Sequence, residues 1–114
     1  MARKTRPISW IKAARKDFEA FPADVQLEAK RALTVIADGV TPDIAKPLKG
    51  LGSGISELVL RNRGDAYRVV YALQLDTDIW IIHAFQKKSK RGIQTPKEEI
   101  DLVRQRLKRL KEQL

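Results

Sequence analysis

Between Ile55 and Gln94 the chain reads ISELVLRNRGDAYRVVYALQLDTDIWIIHAFQKKSKRGIQ, a stretch that holds most of its β-branched and aromatic residues. These fall into three runs, Ile55 to Arg61, Tyr67 to Leu75 and Ile79 to about Lys87, with turn-like or polar residues between them. Runs of this composition with short links read as an antiparallel three-stranded meander, because short links favour hairpins over crossovers. Any fold for this chain must accommodate that sheet. The flanking segments then have to cover it.

The flanks are helical in pattern. Ile11, Ala14, Phe18 and Phe21 recur at three- and four-residue spacing, and Pro22 ends that helix and opens the next. Val25, Ala29, Ala32, Leu33 and Ile36 form the apolar stripe of the second helix, with Gly39 expected just past its end. Arg6 to Trp10 fits a short edge strand, the only place where Pro7 is tolerated. Gly39 to Gly54 is rich in Gly and Pro and reads as a long connecting loop carrying Lys46 and Lys49. Beyond the basic run KKSKRG, Thr95, Pro96 and Glu98 form a helix start with a capping box. Ile100, Val103, Leu107, Leu110 and Leu114 then continue a helix of about five turns. Arg104, Arg106, Lys108, Arg109 and Lys111 occupy its other face, read as solvated. The expectation is one α+β domain over residues 1–114: two N-terminal helices packed on a curved antiparallel sheet, with a C-terminal helix.

Charge narrows the function. The formal net charge of +9 points to an anionic partner such as nucleic acid or an acidic protein. The sheet register concentrates it: a first turn centred on Gly64 and Asp65 sets Arg61 opposite Arg68, and a second turn near Thr77 sets Arg68 opposite Gln86. One end of the sheet would then gather Arg61, Arg63, Arg68, Gln86, Lys87 and Lys88. Like charges facing each other cost stability unless an anion joins them. With one histidine and no cysteine, no metal-ligand spacing exists, and no cofactor is expected. His83 lies in the apolar run IWIIHAF, where a satisfied core histidine is the commoner outcome than an acid or base. Trp10, Trp80, Tyr67 and Tyr71 read mainly as structural, with Arg68 facing away from both tyrosines. No apolar run has the length of a membrane span and the N-terminus lacks the apolar segment of a secretory signal, so a cytoplasmic location is expected.

At PLKGLGSGISELVLRNRGDAYRVVY and IIHAFQKKSKRGIQTPKEEI the chain resembles the RelE/ParE toxin superfamily, most closely its HigB-like, phage-derived branch. The resemblance implies a toxin that cuts messenger RNA on the ribosome, inhibits translation and is neutralised by a cognate helix-turn-helix antitoxin. It implies that Arg61 and Arg68 hold the scissile phosphate, that Lys87 and Lys88 add charge stabilisation or grip, and that His83 is a candidate for proton transfer. Lys46 and Lys49, with Arg63, Gln86, Lys90 and Arg91, would contact the RNA. RelE-type nucleases carry lysines on the strand that here reads Glu57 and Val59, and the tyrosine expected after the basic run is absent, with Gln94 in its neighbourhood. The alternatives are a ParE-like toxin that inhibits a protein target by binding, and a phage-derived binding module without toxicity.

Overall fold

The structure, a computed structural model, describes residues 5–87 and 94–114. Strand β1 (Ile8–Trp10) leads into helices α1 (Lys12–Glu19) and α2 (Ala23–Ala37). Strands β2 (Ala45–Pro47), β3 (Ile55–Asn62), β4 (Asp65–Ala72) and β5 (Ile79–Lys87) follow, and α3 (Lys97–Gln113) ends the chain. The five strands form one sheet in the order β1-β5-β4-β3-β2. All neighbours are antiparallel except β1, which runs parallel to β5.

The meander expected from the β-rich stretch is β3-β4-β5, and the N-terminal edge strand is β1. The segment read as one long loop contains a further edge strand, β2, which pairs Ala45 to Pro47 with Leu58 to Ser56. Three residues including a proline carry too little periodicity to announce a strand, and only an edge position tolerates that proline.

Alternation along the strands gives the sheet two faces. On one, Leu58, Leu60, Tyr67, Val69, Tyr71, Ile81 and Ala84 pack beneath α1 and α2, against Phe18, Phe21, Val25, Leu33 and Ile36. On the other, Val70, Ala72, Ile82 and Phe85 meet Val103, Leu107 and Leu110 of α3. Fully burying side chains of this size contributes about 1.5–3 kcal/mol each, so these two clusters fix which helix covers which face. Trp10 packs on Phe18 with ring centroids 4.9 Å apart, and the Trp80 indole donates to Asp76 at 3.1 Å. The readings of Tyr67 and Tyr71 as core residues facing away from Arg68 hold.

Local chemistry sets the element ends. Gly39 (φ 90) closes α2: its N–H donates to the Ile36 carbonyl at 2.9 Å and the Val40 N–H to Val35 at 3.1 Å. Both bonds satisfy carbonyls that the helix end would leave open. Pro22 and Pro96 sit one position before their helices and neither helix has a side-chain cap. The expected capping box at Thr95 does not form, because its hydroxyl donates to Glu57 at 2.7 Å. Arg6 was read only as part of an edge strand; its guanidinium instead ties down the β4–β5 turn by donating to the carbonyls of Leu73, Asp76, Thr77 and Asp78. No helix among the described residues is long and apolar enough to cross a membrane.

Candidate functional site

The expected register needs two corrections. The first hairpin turns on Arg63 and Gly64, both with positive φ (51 and 86), the pattern of a two-residue turn whose twist matches its strands. Moving the turn centre by one residue moves every pairing by two, so Arg68 faces Val59 rather than Arg61, which faces Ala66. An even shift keeps side chains on their faces, and Arg61 and Arg68 remain on the same one. In the second hairpin Arg68 faces Phe85, not Gln86, and a bulge between Val70 and Tyr71 leaves Ile82 without a partner across the ladder. That shift is odd, so Gln86 lies on the opposite face, across from Tyr67.

The α3 face is therefore ordered in rows. Arg61, Ala66 and Lys87 form the outermost; Val59, Arg68 and Phe85 the next; Lys46, Glu57, Val70 and His83 a third. Cations occupy the end nearest the β3–β4 turn, while α3 covers the apolar end. Short strand β2, missed in the sequence, is what brings Lys46 onto this face opposite Glu57. Arg61, Arg63 and Lys46 are exposed. Lys49 is also exposed but lies beside Gly50, whose carbonyl accepts from Arg104 of α3 at 3.3 Å, so it belongs to the α3 end rather than the rim. Lys88, Lys90 and Arg91 lie outside the described residues.

Arg68 and Lys87 are inside the molecule, 2% and 7% exposed. Arg68 donates to Glu57 Oε1 at 2.6 Å, and Glu57, itself 5% exposed, accepts from Thr95 through Oε2 at 2.7 Å. Removing both charges from water is costly, and the short contact together with the threonine hydroxyl is what offsets it. Burial pushes the Lys87 ammonium below its usual pKa, Arg68 and Arg61 push the same way, and Glu57 opposes them. Sequence reasoning passed over Glu57 and Thr95 as working residues. The available signal was a carboxylate in a strand whose alternation placed it on the same face as Arg61.

His83 is a fully engaged histidine. Arg106 can only donate, so its 3.0 Å contact with Nδ1 makes that nitrogen the acceptor and leaves the proton on Nε2, which donates to Glu99 at 3.1 Å. Arg106 also donates to the Ile82 carbonyl, which takes it out of the solvated α3 face to which it was assigned. Burial lowers the His83 pKa; hydrogen bonding to Glu99 opposes that, while Arg106 reinforces it. A ring 3% exposed with both nitrogens occupied ties α3 to β5 and does not offer a free base. Among the described residues no three His, Asp or Glu side chains gather as a metal site would require.

A five-stranded open sheet clad by helices on both faces, with cations gathered at one end, defines a small α+β protein of the RelE fold. The E. coli toxin RelE, solved in its free state as a double arginine-to-alanine mutant, superposes with a TM-score of 0.63 at 16% identity, over 93% of this chain and 98% of that one. The family model "Phage derived protein Gp49-like (DUF891)" matches residues 16–108, and the chain belongs to that family. Both findings agree with the RelE/HigB-like resemblance carried by the motifs. No curated protein matches.

Proposed function

We propose that this protein is the toxin of a toxin–antitoxin pair, a metal-independent endoribonuclease that cuts messenger RNA on the ribosome in the cytoplasm and is held inactive by a helix-turn-helix antitoxin. The observation that carries the reading is the convergence of Arg61, Arg68, Lys87 and Lys46 at one end of one sheet face, with Arg61 and Lys46 exposed there. Family and fold support the toxin class. In this chemistry the ribose 2′-hydroxyl gives up its proton and attacks the adjacent phosphorus, while the departing 5′-oxygen takes a proton. Arg61 and Arg68 stabilise the charge that grows on the phosphoryl oxygens. Lys87, its ammonium pushed below its usual pKa by burial and by Arg68, adds a third cation to this phosphate site. Lys46 and Arg63 grip the flanking backbone. Lys49, Gln86 and His83 have no place in this site.

The presence of Glu57 where RelE-type nucleases carry a lysine, and the burial of Arg68, favour the second reading, a ParE-like toxin that acts by binding a protein. Mapping RNA ends in cells expressing the chain separates the two. New cuts in register with codons, lost with Arg61→Ala, support the nuclease. DNA-damage signalling with intact messages supports the second reading, and unaffected growth at good expression leaves a binding module.

A further inference from the structure

A carboxylate and a phosphodiester present an arginine with the same thing, a pair of anionic oxygens matched to its planar fork. In the free protein one arm of the Arg68 fork already donates to Glu57 Oε1, at 2.6 Å and almost out of reach of water. We infer that Glu57 is a built-in stand-in for phosphate, a latch clamped by Thr95 that closes Arg68 until an RNA phosphodiester displaces it. The inference rests on the reading of this rim as an RNA-phosphate site and adds its regulation.

Three features make this more than a buried ion pair. Both oxygens of Glu57 are held from different elements, Oε1 by Arg68 on β4 and Oε2 by Thr95 in the lead-in to α3, so the latch can be loosened from outside the sheet. Glu57 has a second cation waiting, because Lys46 stands directly opposite it on β2 and is exposed. A displaced carboxylate therefore exchanges one cation for another instead of being stranded. Finally, Glu57 acts on Lys87 against Arg68 and Arg61, so an incoming anion at Arg68 takes over a role that Glu57 fills in the free protein.

The test measures binding of a short single-stranded RNA, 2′-O-methylated so that it cannot be cut, to the full chain and three variants at fixed ionic strength. Glu57→Gln keeps the shape and removes the charge; Thr95→Val removes the clamp without changing charge. Glu28→Gln controls for charge alone, since Glu28 is exposed on α2 and lines the same groove as Lys46 and Arg61. A charge-assisted competitor of this kind predicts tightening by about tenfold for Glu57→Gln and about threefold for Thr95→Val, with less than about twofold for Glu28→Gln. In parallel, inorganic phosphate raises the melting temperature of Glu57→Gln more than that of the wild type. If Glu57→Gln does not fold without phosphate, folding restored by phosphate and the gain in Thr95→Val carry the result. Folded Glu57→Gln and Thr95→Val proteins that bind no better than Glu28→Gln overturn the latch. Tighter binding by the variants with no cleavage of unmodified transcripts during translation by added ribosomes removes the nuclease reading and leaves the latch. Cleavage by the wild type without any gain in the variants does the reverse.

Discussion

Arg61 and Arg68 share a face of the sheet yet stand in opposite environments, and their substitution should separate function from stability. Arg68→Ala removes the cation bonded to the buried Glu57 and leaves it Thr95 with Lys46 opposite, so the loss, read from denaturant unfolding, is at most about 3–5 kcal/mol, the cost of breaking a buried pair. Arg61→Ala, at an exposed strand end, changes unfolding free energy by less than about 0.5 kcal/mol and lowers RNA binding. Loss of toxicity in Arg68→Ala alone is therefore no proof of contact with RNA; loss in Arg61→Ala is. His83 adds a pH dependence. Its pKa in the folded chain lies below 6.5, so between that lowered value and 6.5 the unfolded chain binds more protons than the folded one. Stability from this group is complete above 6.5 and falls as the pH drops through the window, by at most about 1.4 kcal/mol per pH unit. Unfolding curves between pH 7 and pH 5 check it: His83→Gln flattens the slope, and an unchanged slope assigns it elsewhere.

At the scale of elements, the features visible in the sequence are those carried by long periodic patterns. The stripe Val25 to Ile36 buries as spaced and Gly39 ends α2 as its position suggests, while the stripe Ile100 to Leu114 is buried at Val103, Leu107 and Leu110, half-buried at Ile100 and exposed at Leu114. Register was legible only to within a residue or two, because it depends on which pair of Asn62-Arg63-Gly64-Asp65 makes the turn and on a bulge that leaves no mark in composition. That bulge decides the fate of Gln86, an apparent member of the cationic end that faces the other way. The partners of Arg68 and His83 were illegible for a different reason: Glu57, Thr95 and Arg106 are remote in sequence and meet them only through packing. Packing of α3 over the sheet is itself testable. Leu107→Ala removes a core contact from a residue 4% exposed and should cost about 2–5 kcal/mol, with faster proteolysis within α3. A cost near zero would mean that α3 is not docked in solution.

For the whole molecule the question is whether the net charge of +9 acts as a diffuse field or through one place. Diffuse attraction would make every exposed cation on the surface equivalent, whereas the row geometry makes Arg61 and Lys46 special and the outer face of α3 incidental. The salt dependence of RNA binding reports how many phosphates are neutralised, and losing one true phosphate contact reduces its slope by about 1. The most direct measurement is RNA affinity as a function of salt for Arg61→Ala beside Lys108→Ala, two exposed cations, one at the strand end and one on α3. The account predicts a weaker affinity and a shallower slope for Arg61→Ala, with Lys108→Ala indistinguishable from the wild type. Equal losses in the two variants would contradict it.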